Sequence, residues 1–213
     1  MGKIKAVLLL SLFSLMSISI NSWADTALSW NLARDVIFIK ENPATNSPWT
    51  FMQNASGLNK PENYTLLPYF KADDCGGKPA TCWRDPVSES LVSVHFKTYT
   101  FTENVGYVLE PGNVGLHPGK NSQTIIRWAS PVVGEVNVLG RINHIHYGCG
   151  DGVSWSLNLD GTVLQSGTLA KGQGAIVSVS KVPVTKASSL YFVLDKKGAY
   201  YCDTSTIDLL ITK

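Results

Sequence analysis

From Leu91 to the C-terminus, apolar and polar residues alternate with a period of two. Val92, Val94 and Phe96 share one side against Ser93, His95 and Lys97, in a run that continues to Phe101. Ile126 and Trp128 oppose Ile125 and Arg127, and Val136, Val138 and Ile142 oppose Glu135, Asn137 and Arg141. Val153, Trp155, Leu157 and Leu159 alternate with Ser154, Ser156 and Asn158. Ala175, Val177 and Val179, then Leu190, Phe192 and Leu194, then Ile207, Leu209 and Ile211 repeat the theme. A strand sends successive side chains to opposite faces, so each run predicts a strand with one apolar face. Turn chemistry separates the runs. Asp160-Gly161 reads as a tight hairpin, and Pro111-Gly112, His117-Pro118-Gly119, Pro131 with Gly134, and Lys197-Gly198 mark further reversals. No long 3.6-residue period develops. The pattern predicts about ten strands in an antiparallel two-sheet β-sandwich, jelly-roll-like, because two sheets packed face to face bury all those apolar faces at once.

The chain has two less regular ends. Residues 1–24 read as an export signal: Lys3 and Lys5 precede the apolar run Ala6 to Ile20, and Ser22-Trp23-Ala24 places small residues before a cleavage point at Asp25. The apolar run is shorter than the roughly 20 residues a membrane-spanning helix needs. No cysteine follows the cleavage point to carry a lipid, so the mature protein is expected to be secreted or periplasmic. Residues 25–213 are expected to form one β-sandwich domain, of which 25–86 is the less regular part. It holds Trp30, Trp49, Trp83, Pro61 and Pro68, and at roughly 60 residues it would be marginal alone. Trp49 and Trp83 could be exposed there, whereas Trp128 and Trp155 sit in apolar alternation and are expected in the core.

Composition narrows the class. Charged residues are only 16% and hydrophobic ones 44%, which excludes disorder and coiled coil. Lys3 and Lys5 leave with the signal, so acids and bases balance in the mature chain and no basic excess points to nucleic acid or an anionic membrane. All four cysteines, Cys75, Cys82, Cys149 and Cys202, lie in the mature part. An even count in an exported chain reads as disulfides. The favoured pairing is Cys75–Cys82, closing a short loop with Gly76, Gly77 and Pro79, and Cys149–Cys202 as a long-range staple. Zinc is the competing use, but C-x-x-C spacing is missing.

Several stretches come in a familiar order. Asn42-Pro43 precedes Trp49-Thr50-Phe51, then Leu116-His117-Pro118-Gly119, then Ile125-Ile126-Arg127-Trp128 with Pro131 and Gly134. Asp151-Gly152-Val153 leads to Asp160-Gly161, and Asp203-Thr204-Ser205-Thr206-Ile207-Asp208 closes the chain. Over nearly the whole mature length this resembles exported bacterial β-sandwich domains, similar to galactose-binding-like jelly rolls, with His-Pro-Gly followed by Arg-Trp-x-x-Pro as the most specific piece. The resemblance implies the fold first, and carbohydrate as the usual inferred ligand. The Cys149–Cys202 pair and the stretch His144-Ile145-His146-Tyr147 depart from the pattern.

Candidate chemistry is sparse. Tyr147, Tyr200 and Tyr201 lie beside the two ends of the proposed Cys149–Cys202 staple, where they could stack on sugar rings while Asp151 or Asp203 accepts hydrogen bonds from hydroxyls. His144 and His146 project to one face of a strand, a spacing that can hold a metal, with Asp151, His95 or His117 as a third ligand. The parity of Val136, Val138 and Ile142 puts both histidines on the core side, at a cavity mouth or as satisfied core residues. Asp73, Asp74, Asp151, Asp203 and Asp208 could hold a structural calcium, although loop aspartates more often cap turns. No nucleophile, metalloprotease or phosphate-loop motif occurs. The expectation is a non-catalytic binding protein acting outside the cytoplasm on a glycan or polysaccharide. The alternatives are a metal-dependent hydrolase using His144 and His146, and a factor that binds a host or surface protein.

Overall fold

A computed structural model of the chain describes residues 27–57, 59–103 and 106–213; the expected export signal lies outside them. The elements run in order β1 (Ser29–Asn31), α1 (Leu32–Val36), β2 (Trp49–Asn54), β3 (Thr65–Leu66), β4 (Tyr69–Lys71), β5 (Ala80–Arg84), β6 (Leu91–His95), β7 (Tyr99–Phe101) and β8 (Tyr107–Leu109). They continue as β9 (Val114–His117), β10 (Gln123–Ala129), β11 (Gly134–His144), β12 (Val153–Leu159), β13 (Thr162–Leu169), β14 (Gly174–Val184), β15 (Ser189–Lys196) and β16 (Ser205–Thr212). One sheet has the order β14-β11-β16-β9-β6-β5-β4, with β1 also on β16, and the other β13-β12-β15-β10-β2-β3. Strands β7 and β8 form a separate hairpin. Every pairing is antiparallel.

The strand count exceeds the ten or so expected, because alternation shows which way side chains point and not where a hydrogen-bonding partner ends. The run from Leu91 to Phe101 is two strands: β6 pairs with β9 only as far as Val94 opposite Val114, and the chain then leaves the sheet to build the β7–β8 hairpin. The less regular front segment pairs with strands from the rest of the chain: β2 lies beside β10, β5 beside β6, and β1 beside β16.

The core lies between the sheets. Val92, Val94, Val114, Leu116, Ile142, Ile207 and Leu209 from the larger sheet meet Phe51, Ile126, Trp128, Trp155, Leu157, Phe192 and Leu194 from the smaller. Trp49 and Trp83, which the sequence left open to exposure, are buried in it. Aromatic and β-branched residues on short strands fill the layer, and the Trp49 indole N–H finds Asp35 Oδ2 at 3.0 Å, which lets a polar edge be buried. Phe51 and Trp83 touch across the layer with ring centroids 4.1 Å apart. Ile125, on the expected polar face of β10, is also fully buried, because Tyr64 from the front segment folds over it with Tyr191 and Val193. The Asp160-Gly161 turn is a two-residue hairpin, closing Leu159 against Thr162 with Asp160 at φ 49°.

Candidate functional site

The outer face of the larger sheet carries Leu91, Ser93 and His95 on β6 beside Gly115 and His117 on β9. The β7–β8 hairpin adds Tyr99, Phe101, Tyr107 and Leu109, and the two disulfide loops bring Cys75, Lys78, Tyr201, Cys202 and Thr204. Together with His146 they enclose a cavity of about 310 Å³. Gly115 keeps its floor open: a Cβ there would come within 2.8 Å of Ser93 Oγ. The His-Pro-Gly turn is what aims His117 at it. Gly119 packs against Ser88, Ser90 and Ser122, its N–H bonds Ser122 O at 2.8 Å, and the Thr124 hydroxyl bonds His117 O at 2.6 Å.

Three of the chain's four histidines line this one space. His95 is 2% exposed. Its Nε2 lies 3.3 Å from Ser93 Oγ, its ring stacks on Tyr99 at 5.9 Å, and its Nδ1 has no partner. Burial, with the nearby Lys78 charge, pushes its pKa down to about 4, so it is neutral at pH 7. His117 Nδ1 lies 2.7 Å from Pro118 O. A carbonyl only accepts, so Nδ1 carries the proton and Nε2 is left as an acceptor. Burial also lowers His117, and Glu89 beside it works the other way. His146 packs against Phe101 and Tyr107 at 5.8 and 5.4 Å, its Nδ1 lies 3.5 Å from Cys149 Sγ, and burial lowers its pKa as well.

The remaining expected site residues are dispersed. Tyr200 and Tyr201 meet edge to face at 6.0 Å, Tyr200 reaches Glu89 Oε1 at 3.3 Å, and Tyr201 lines the cavity while 61% exposed. Tyr147 lies over Gly172 in a separate groove, which shares Phe101 and Tyr107 with the cavity. Asp151 accepts from the Gly198 and Ala199 N–H groups at 2.7 and 3.2 Å, capping a turn, and those bonds hold its pKa low. Asp203 is fully buried, 3.5 Å from His144 Nε2, with its pKa raised by burial.

Both disulfides form as expected, Cys75–Cys82 and Cys149–Cys202, each with Cα atoms 5.5 Å apart. The two histidines of the H-x-H stretch are both buried but diverge: His144, the last residue of β11, turns to Asp203, and His146, beyond the strand, to the disulfide. Among the described residues the one group of three metal-ligating side chains is His146 with Cys149 and Cys202, whose sulfurs are bonded to each other. The aspartates considered for calcium do not assemble, and each meets a protein donor: Asp73 pairs with Lys40, Asp74 accepts from Gly77 N–H, and Asp208 from Asn31 Nδ2. Sequence reasoning missed Ser93, Tyr99, Phe101, Tyr107 and Gly115 as a set. The available signal was that His95 and His117 stand on the outward parity of their strands.

No family model matches the chain, and no curated protein does. Solved structures similar to it are mostly carbohydrate-binding β-sandwich domains. CBM51 from Clostridium perfringens GH95, in complex with methyl-galactose, aligns at 14% identity and TM-score 0.39 over 56% of this chain and 81% of that one. The carbohydrate-binding module CBM36, in complex with calcium and xylotriose, aligns at 8% identity and TM-score 0.30 over 55% and 87%. The K3 cleaved adhesin domain of Lys-gingipain from Porphyromonas gingivalis aligns at 9% identity and TM-score 0.37 over 79% and 93%. At these scores the likeness is loose.

Proposed function

We propose that this chain is an exported, non-catalytic binding protein that takes a glycan in the cavity on the outer face of its larger sheet. The observation that carries the reading is the cavity's construction: about 310 Å³, walled by aromatic rings, with a few hydroxyl and imidazole groups pointing in. That is the small end of the usual ligand-pocket range, suited to one sugar ring or two. A pyranose presents an apolar face that stacks on an aromatic ring and an equator of hydroxyls that needs hydrogen-bond partners. Tyr201 is free to stack at the rim, and Ser93, Thr204 and His117 Nε2 can serve the hydroxyls. The disulfides anchor two of the walls, so the site is preformed, which limits the ordering cost of binding. They also fit an oxidising compartment, and no helix among the described residues is long and apolar enough to cross a membrane.

The test is a glycan-array and polysaccharide screen of the purified, disulfide-intact protein, followed by a Gly115→Val variant. Valine there would project into the cavity from a strand that keeps its backbone hydrogen bonds. The expected result is a saturable ligand that the wild type binds and Gly115→Val, shown to be folded by its circular dichroism and cooperative unfolding, does not. A blank across the array, or a ligand that Gly115→Val binds equally well, would overturn the reading.

A further inference from the structure

We propose that the sugar held in this cavity is an acidic one, whose carboxylate docks against Lys78, His95 and Ser93. The inference rests on the glycan reading and adds to it the charge of the ligand. Among the described residues the lining includes one lysine and three histidines and no aspartate or glutamate. Lys78 is half-buried at the cavity wall, with its ammonium 5.2 Å from the centroid of the Tyr99 ring. The salt bridges between charged side chains among the described residues are Arg34–Asp35 and Lys40–Asp73, and Lys78 belongs to neither. Burial and the neighbouring Arg84 both weaken its hold on a proton, and no acid offsets them. An ammonium withdrawn from water without a counter-charge is unfavourable, and contact with one ring face repays only part of that. A ligand carboxylate supplies the missing charge.

The histidines fit the same division of labour. His95 keeps an unpartnered Nδ1 in a nearly sealed position, and the neutral ring can offer that nitrogen as an N–H donor. His117, with its proton held on Nδ1 by Pro118 O, offers Nε2 to a sugar hydroxyl. Glu89, whose charge acts on His117, accepts from the Tyr200 hydroxyl and is not among the lining residues. A neutral sugar would leave the Lys78 charge uncompensated.

Calorimetric titration with methyl glycosides tests this: the glucuronide and galacturonide against the neutral glucoside and galactoside, with sodium acetate as a separate titrant. The expected result is that a uronide binds about tenfold or more tightly than its neutral counterpart, as a charge-assisted hydrogen bond implies. Lys78→Gln should erase that difference, the uronide losing far more affinity than its neutral counterpart. Equal binding of acidic and neutral glycosides would overturn the acidic assignment and leave the glycan reading standing. No binding of any glycoside, or acetate binding as tightly as the uronides, would overturn both.

Discussion

His95 connects the site to the stability of the fold. It is buried neutral, its nearest charged neighbour is the Lys78 ammonium, and its ring lies against Ser93 and Tyr99, none of which favours a proton on it. The sign follows from the two states. Above about pH 6.5, the ordinary histidine value, neither state is protonated and the fold loses nothing. Between there and about pH 4 the unfolded chain takes a proton that the folded one refuses, so stability falls as the pH falls. Over that window the loss amounts to about 3 kcal/mol, at about 1.4 kcal/mol per pH unit. His117 and His146, lowered by burial, add in the same direction, while Asp203, raised by burial, opposes them. Urea unfolding at pH 7.0, 5.5 and 4.5 should show the decline, and a His95→Phe variant should flatten it to what the other groups supply. An unchanged slope in that variant would mean His95 is protonated in the folded protein.

The two disulfides secure the loops that wall the cavity, and they differ in reach. Cys149–Cys202 spans 53 residues and Cys75–Cys82 spans 7. Loop entropy in the unfolded chain then assigns about 4 kcal/mol to the first and about 2 kcal/mol to the second. Paired Cys→Ser variants should therefore lose stability in that order, read by denaturant midpoint, and both should weaken ligand binding because Lys78 and Tyr201 lose their tether. Strands and faces were legible in the sequence because a period of two is written residue by residue: Val153, Trp155 and Leu157 needed nothing else. The β7–β8 hairpin was not, because Tyr99 and Phe101 continue the alternation of β6 while leaving its sheet. Trp49 and Trp83 were left open between surface and core because turn-rich flanks hid the short strands that carry them into the core. The tyrosines by the staple were half legible: adjacency to Cys202 put Tyr201 at the cavity, while Tyr147, next to Cys149, lies in the neighbouring groove.

At the scale of the molecule, a β-sandwich offers more than one outer surface, and that of the larger sheet carries the cavity walled by rings. The outer face of the smaller sheet carries a more open, polar groove with Ser154, Ser156, Thr168 and Asp195. What separates the two is where a ligand lands. The most direct measurement is therefore an amide NMR titration of the uniformly ¹⁵N-labelled, oxidised protein with the best ligand from the glycan screen. The expected result is saturable shifts at Ser93, His95, Gly115, Tyr201 and Thr204, with Lys78 following when the ligand is acidic. Shifts confined to Ser154–Thr168 on the opposite sheet, or none at saturating sugar, would contradict binding in the cavity.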